Sequence, residues 1–160
     1  MDYLEFKARF DQEYSKLKLP EDCTELLNSS VPTSSLVWTF KWYLEFSDGS
    51  YIQIKEHYTK KARMIQHSHR AAFNYHYGPV VQRTADGLPE AASANPVHIR
   101  IDTSNSPAHM HLGSPNPHYE QARVENLDMQ NLDMFTFIKA VLKHRRTGAS
   151  FQETLNFRIT

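Results

Sequence analysis

The fold is decided by residues 36–58, which have the sequence LVWTFKWYLEFSDGSYIQIKEHY. Large apolar side chains occupy every second position from Trp38 to Phe46, and polar residues lie between most of them. A repeat of two residues is typical of a β-strand that buries one of its faces. A second alternating run begins after the Asp-Gly pair at 48–49, so this stretch predicts a β-hairpin.

The number of loop residues sets the register of this hairpin. A two-residue loop, Asp48-Gly49, would place the polar Gln53 and Lys55 opposite apolar residues of the first strand. A three-residue loop that includes Ser47, with Gly49 left-handed in a bulge, places isoleucines there instead. The pairs are then Leu44 with Ile52 and Trp42 with Ile54. Because a slip of one residue turns every side chain to the other face, the matching apolar faces predict the three-residue loop.

The same register places an acid on the apolar face of the hairpin. Glu56 falls opposite Phe40, where an unpaired carboxylate would be costly to desolvate. Either a cation lies beside it or it lies at the edge of the sheet, open to a cleft. Arg100 is the predicted partner, because guanidinium pairs bidentately with a carboxylate.

The rest of the chain predicts a small α+β protein. Apolar residues at helical spacing indicate a helix at 2–18, within an N-terminal extension 1–20 that ends at a proline. Asn28–Ser35 is polar, contains a proline and is predicted to be a loop. Further elements are expected as strands at 71–77 and 97–102, a surface loop at 82–96, a His- and Pro-rich loop at 103–126, and a helix at 128–147 stopped by Gly148. The prediction is a single domain over 1–160, with a four-stranded antiparallel meander over 36–102. Its N-terminal and C-terminal helices pack on one face and leave the other free for a site.

Composition excludes several classes of protein. The 18 basic and 18 acidic residues cancel, so no overall field attracts nucleic acid or an anionic membrane. Cys23 is the only cysteine, which excludes an intrachain disulfide and a thiolate zinc cluster. No long apolar run predicts a transmembrane helix, so no membrane contact and a cytoplasmic location are expected.

The sharpest candidate site is a group of histidines with one acid. His109 and His111 are two residues apart, so an extended backbone points both imidazoles the same way. With His118 and with Asp102 from the preceding strand, they form a candidate set for a divalent transition metal with an open coordination position. A phosphate site and an unspecialised His-rich surface loop are the alternatives.

A second candidate group contains Glu56, His76, Arg100 and Asp102. If neighbouring strands bring these residues together near His109 and His111, they supply a proton acceptor, a proton donor and an arginine for a developing negative charge. Such residues could form a metal-independent ribonuclease. The alternative is that Glu56 and Arg100 form a structural ion pair and that His76 faces solvent.

Four short patterns resemble one known family. They are Asp48-Gly49-Ser50 followed by Glu56, Phe73-Asn74-Tyr75-His76-Tyr77, Arg100-Ile101-Asp102, and His109-Met110-His111 ahead of the last helix. Together, over about residues 37–141, they resemble the small bacterial TumE-type proteins, which are toxins of toxin–antitoxin modules. The resemblance implies a helix-turn-helix antitoxin as partner. The N-terminal helix and the 82–96 loop are departures from the family pattern.

Three classes of function follow. The first is a TumE-type toxin that acts on RNA in the manner of a ribonuclease, through Asp102, His109, His111, Glu56, His76 and Arg100. The second is a non-catalytic binding or assembly module whose histidine loop is structural or stabilised by a metal. The third is a metal-dependent enzyme for a small molecule. Two basic segments, 55–70 and 139–146, are either RNA contacts or solvated surface charge, and a homo-oligomer is left open.

Overall fold

A computed structural model describes residues 1–59, 70–90, 95–103, 107–114 and 117–160. A seven-stranded antiparallel sheet follows chain order from its first strand to its last. Its strands are β1 (Cys23–Ser34), β2 (Val37–Phe46), β3 (Ser50–Tyr58), β4 (Arg70–Pro79), β5 (Ile99–Asp102), β6 (His109–Leu112) and β7 (His118–Glu120). The helices are α1 (Tyr3–Lys16), α2 (Met134–Thr147) and the short α3 (Phe151–Thr154). A separate two-stranded ribbon joins β8 (Val124–Glu125) to β9 (Arg158–Ile159). The expected α+β class is confirmed.

The sheet has three more strands than the four expected. β1 includes most of the segment predicted as a loop. That prediction was wrong because the strand's residues on the helix side are polar: Asn28 lies opposite Trp42, and Ser30 lies opposite Phe40. The hydroxyl of Ser30 is 2.7 Å from that of Tyr3 in α1, so a hydrogen bond replaces apolar packing there. β1 is an edge strand with two register irregularities, at Glu25/Leu27 and Pro32/Ser34. β6 and β7 lie within the segment expected to be a His- and Pro-rich loop. Each is too short for an alternating pattern of apolar and polar residues to identify it as a strand.

The predicted hairpin register is confirmed. Leu44 pairs with Ile52, Trp42 with Ile54 and Phe40 with Glu56. Gly49 adopts a φ of +83°, a left-handed backbone that favours glycine.

Side chains fasten the loop of this hairpin to α2. A carboxylate oxygen of Asp48 accepts hydrogen bonds from the backbone and the hydroxyl of Ser50, at 3.0 and 2.6 Å. Arg145 donates to the other Asp48 oxygen and to the Ser50 hydroxyl, at 2.8 Å each. Although burial acts in the opposite direction, these hydrogen bonds from Ser50 and Arg145 lower the pKa of Asp48 to about 2.

All three helices pack on one side of the sheet, which we call the helix face. Phe6 and Phe10 of α1 contact Trp38 and Phe40 of β2. An N-cap at Asp2, in a capping box with Glu5, begins this helix. From the other end of the chain, α2 packs Phe135 against Trp42 and Phe137 against Tyr75, and α3 packs Phe151 against Tyr77. The predicted N-terminal and C-terminal helices on one face are therefore confirmed.

The C-terminal helix begins later than the sequence predicts. Asp128 makes a local turn, in which its carboxylate accepts from the backbone and side-chain amides of Asn131 at 3.3 and 2.6 Å. Asp133 is the N-cap, accepting from Thr136 at 2.7 Å. The two aspartates offer similar start signals, and only the second is followed by a helix. Gly148 ends the helix with a φ of +74°, as expected.

Glu56 is buried on the helix face, but its cation is not the one expected. Its carboxylate lies 3.7 Å from Arg70 and accepts hydrogen bonds from the hydroxyls of Tyr58 and Tyr75. Arg70 also donates to Tyr75 and to the carbonyl of Leu132, at 2.6 Å each. Burial raises the pKa of Glu56, and the positive charge of Arg70 opposes that rise.

The predicted pairing of Glu56 with Arg100 is wrong. Arg100 lies on the other side of the sheet, where its Nε is 3.0 Å from a carboxylate oxygen of Asp102. The hairpin register gave the correct face for Glu56, but Arg70 stands at the end of a connector for which no strand pairing was predicted.

The second side of the sheet, which we call the open face, carries no helix in the described part of the chain. Arg83 crosses it to reach Glu45, at 2.6 Å. The backbone of Pro96 approaches Gly78 so closely that a β-carbon there would lie 3.0 Å from the Pro96 carbonyl oxygen. These two segments cover one end of the open face. In the described residues, no helix is long and apolar enough to span a membrane.

We expect Arg70→Met to destabilise the protein by about 3–5 kcal/mol, because it leaves the Glu56 carboxylate buried without its cation. Adding Glu56→Gln to Arg70→Met should recover much of that loss, since a neutral amide needs no counter-charge. Urea unfolding, followed by tryptophan fluorescence, measures the free energy of unfolding of the wild type, of Arg70→Met, of Glu56→Gln and of the double variant.

Arg100→Met is the matched control for this cycle. Because Arg100 lies on the open face, its cost should add to that of Glu56→Gln without coupling. Coupled free energies for Glu56→Gln and Arg100→Met, or additive ones for Glu56→Gln and Arg70→Met, would contradict the assignment of Glu56 and Arg70 as the buried pair.

Candidate metal centre

Strand register arranges the polar residues of the open face in two rows that cross the sheet. The first row runs through Lys41, Lys55, Asn74, Asp102, His109 and Glu120. The second row runs through Tyr43, Gln53, His76, Arg100, His111 and His118. Successive members are direct cross-strand neighbours, so the hairpin register fixes which side chains meet.

Three histidines meet where these rows reach β6 and β7, and we call them the three-histidine centre. His109 and His111 are two residues apart on β6, and His118 of β7 lies directly opposite His111. One ring nitrogen from each lies within 4.8 Å of the other two. Their ring centroids are 4.6–5.0 Å apart. His109 is buried and His118 is exposed, so the centre opens from the sheet toward solvent.

Asp102 holds the innermost histidine of this centre. Its Oδ1 lies 3.1 Å from Nε2 of His109, and its Oδ2 lies 3.0 Å from Nε of Arg100. The Asp102 side chain is only 2% exposed. A carboxylate behind an imidazole fixes the orientation of the ring and raises its basicity, as is usual for histidines that bind metals.

His111 is kept neutral at pH 7 by its surroundings. Burial and then the charge of Arg100 lower its pKa to about 4. Its Nδ1 is buried and has no hydrogen-bond partner among the described residues. A neutral imidazole with a free nitrogen suits metal binding, whereas a pKa near 4 suits a general acid or base poorly at neutral pH.

Six of the seven residues predicted for the site lie on the open face, and five of these form the group around the three-histidine centre. Asp102, Arg100, His109, His111 and His118 lie side by side on the open face. Glu56 lies on the helix face, so the predicted convergence of Glu56 with this group is wrong. Successive side chains of a β-strand point to opposite faces, so Glu56 points away from the face on which its neighbour Lys55 lies.

His76 is on the open face but does not contact solvent. It is 0% exposed and stacks on Tyr51 at 4.9 Å, and neither ring nitrogen has a hydrogen-bond partner among the described residues. Burial, followed by the charges of Arg100 and His98, lowers its pKa to about 3. The alternative of a solvent-facing His76 is therefore wrong, and the lowered pKa keeps the buried ring neutral near pH 7.

Two clefts flank the three-histidine centre. One, of about 240 Å³, lies on the Asp102 side and is lined by Lys41, Lys55 and His57 among others. The other, of about 470 Å³, lies on the side of His118 and Glu120. The sequence analysis did not single out the two lysines as site residues, although their cross-strand pairing follows from the hairpin register predicted there.

Of the predicted basic segments, 139–146 lies apart from this centre, whereas the described part of 55–70 includes Lys55, which lines the flanking cleft. Most of 55–70 falls at residues 60–69, outside the described residues. The segment 139–146 belongs to α2 on the helix face, and its Arg145 is paired with Asp22 and Asp48.

Comparison with known proteins gives no match to a family model, a curated protein or a solved structure. The site is accordingly defined by its own geometry: a histidine cluster backed by a carboxylate, beside an arginine, on the open face of an antiparallel sheet.

The buried His76 gives a testable dependence of stability on pH. Its pKa is about 3 in the folded state, against an ordinary 6.5, so the unfolded chain binds a proton that the folded protein does not. Stability should fall as the pH drops below about 6.5, with His76 contributing up to about 1.4 kcal/mol per pH unit. His76→Phe and His76→Leu cannot titrate and should flatten this slope. Urea unfolding between pH 7 and pH 5 measures it, and a slope unchanged in both variants would contradict the assignment.

Proposed function

We propose that the three-histidine centre binds a divalent transition metal of the zinc class and that the protein hydrolyses a phosphate ester there. The observation that carries this proposal is the approach of three imidazole nitrogens to within 4.8 Å of one another, with Asp102 behind one of them. Zinc–nitrogen bonds of about 2.0–2.1 Å require nitrogens about 3.3 Å apart in a tetrahedron, so the three rings would move together by up to about 1.5 Å when a metal binds. A three-histidine set leaves one position open, as in catalytic zinc centres.

The neighbouring charges support an anionic substrate. A bound metal would supply a water nucleophile at neutral pH and polarise a phosphoryl oxygen. Arg100 lies beside His111 in the adjacent strand, where a guanidinium can hold phosphate oxygens bidentately. Asp102 keeps both Arg100 and His109 oriented, because each of its oxygens contacts one of them.

The resemblance to TumE-type proteins supports RNA as the substrate and a helix-turn-helix antitoxin as the partner. A metal-independent ribonuclease is the weaker version of this proposal. Glu56 is on the opposite face and His76 is sealed from solvent, which leaves that mechanism without two of its proton-transfer groups.

Metal content tests the centre directly. Protein purified without an affinity tag should carry about one zinc-class ion per chain, and a chelator should remove it. Restoring metal at 100 times its Kd should stabilise the protein by about 2.7 kcal/mol, which corresponds to a rise in Tm of roughly 5–10 °C. His111→Ala and His118→Ala should abolish both effects.

His57→Ala is the control for metal binding. His57 is an exposed histidine on the same face but three strands from β6, so its loss should leave the metal content unchanged. A Tm that does not respond to zinc, nickel or cobalt in wild-type protein, together with no bound metal, would refute the centre. Metal binding without hydrolysis of RNA or a small phosphate ester would instead favour the non-catalytic, metal-stabilised module.

Expression in a bacterial host tests the toxin proposal. The wild-type chain should slow growth and degrade cellular RNA, and His111→Ala should relieve both without unfolding the protein. Growth rate and RNA integrity after induction are the measurements, with circular dichroism as the check on folding. Normal growth with soluble wild-type protein, or equal toxicity of His111→Ala, would count against the proposal.

A further inference from the structure

A pair of lysines lies in the cleft beside the three-histidine centre. Lys41 and Lys55 are direct cross-strand neighbours on β2 and β3. They line the cleft of about 240 Å³ that also includes Asn74 and Asp102. The cleft therefore joins two positive charges to the centre along one row of the sheet.

This pairing is unfavourable for the protein alone. Like charges directly opposite each other in an antiparallel sheet are destabilising. Lys55 is half-buried, and its burial, followed by the charge of Lys41, lowers its pKa. No acidic side chain in the described ranges of the chain pairs with either lysine.

Four arginines of the described residues have anionic partners. Arg70 contacts Glu56, Arg83 contacts Glu45, Arg100 contacts Asp102 and Arg145 contacts Asp48. Lys41 and Lys55 differ from these in facing each other directly across two strands, so an anion from outside the protein would offset their mutual repulsion.

Strand spacing gives the reach of this row. Strands lie about 4.8 Å apart, so Lys55 is about 10 Å from Asp102 and about 14 Å from His109, measured between backbones. A single phosphate held at the centre would not reach both lysines. A chain that carries repeated phosphates would, because one phosphate can lie at the centre while its neighbours lie over the lysines.

The described lining of the cleft offers few rings on which bases could stack. His57 is exposed there, whereas Phe73 is only 4% exposed and the open-face tyrosines Tyr43 and Tyr51 are buried. Contacts between the lysines and a phosphate backbone would position a strand without reading its sequence.

We propose that Lys41 and Lys55 bind the phosphate backbone of single-stranded RNA while the adjacent phosphodiester lies at the three-histidine centre. This proposal rests on the proposed function, since it names the side chains that bind the substrate of the same site. The lysines bind and orient the strand, and the centre carries the chemistry.

The test is the salt dependence of binding to a fluorescently labelled single-stranded RNA, measured by fluorescence anisotropy on metal-loaded protein with chelator-treated protein in parallel. Each phosphate neutralised in a single strand contributes about 0.7 to the slope of log K against log salt concentration. The double variant Lys41→Gln/Lys55→Gln should therefore lower that slope by about 1.4 and weaken binding at low salt by at least tenfold.

Lys16→Gln/Lys18→Gln is the matched control, because it removes two exposed lysines that lie outside the cleft and outside both basic segments. It should keep the wild-type slope. An unchanged slope in a folded Lys41→Gln/Lys55→Gln protein would overturn the proposal. Equal competition by polyglutamate would also overturn it, since the site would then accept any polyanion.

The same samples separate this proposal from the proposed function. Lys41→Gln/Lys55→Gln should keep its full metal content, because neither lysine is a ligand. His111→Ala should lose the metal but keep the salt slope. Lysine-dependent RNA binding in wild-type protein that holds no metal would sustain the backbone site and refute the metal centre. Metal binding without RNA binding would sustain the metal centre and refute the backbone site.

Discussion

The hairpin loop at 47–49 is the constraint on which the rest of the sheet depends. With Gly49 left-handed, β2 and β3 pair so that one face carries apolar side chains and the other carries Lys41 and Lys55. Each later strand continues those rows, from β4 through β7. A loop shorter by one residue would turn Lys55 of β3 into the core and Ile52 and Ile54 toward the site, leaving Lys41 of β2 in place. Arg145, reaching from α2 to Asp48, makes the same loop a point of contact between the helices and the sheet.

The sequence predicts those elements whose signal is carried by their own residues. The alternation of β2 gives the hairpin, the register and the burial of Glu56, and helical spacing of aromatic residues gives α1. β1 was predicted as a loop because its inward side chains are polar, and their partners, such as Tyr3, are distant in sequence. β6 and β7 span four and three residues, too few for a periodic pattern to distinguish a strand from a loop.

The candidate site, like the fold, was predicted where the residues of one strand carry the signal themselves. The spacing of His109 and His111 shows that they share a face, and the structure shows how the predicted His118 meets them, directly opposite His111 on the next strand. The partner of Glu56 could not be predicted, because Arg70 approaches it at the end of a connector and also contacts Leu132, ahead of α2. Sequence periodicity gives the face of a residue. The identity of its neighbour across the core depends on how separate elements pack.

The two edges of the sheet have a consequence for how copies of this protein behave at high concentration. An exposed strand edge is a template onto which another strand can add, and uninterrupted edges lead to aggregation. β1 interrupts its edge with two irregularities and Pro32, which has no amide hydrogen to donate. At the opposite edge, β7 offers only three residues. Neither edge is suited to templating growth of the sheet from one molecule to the next.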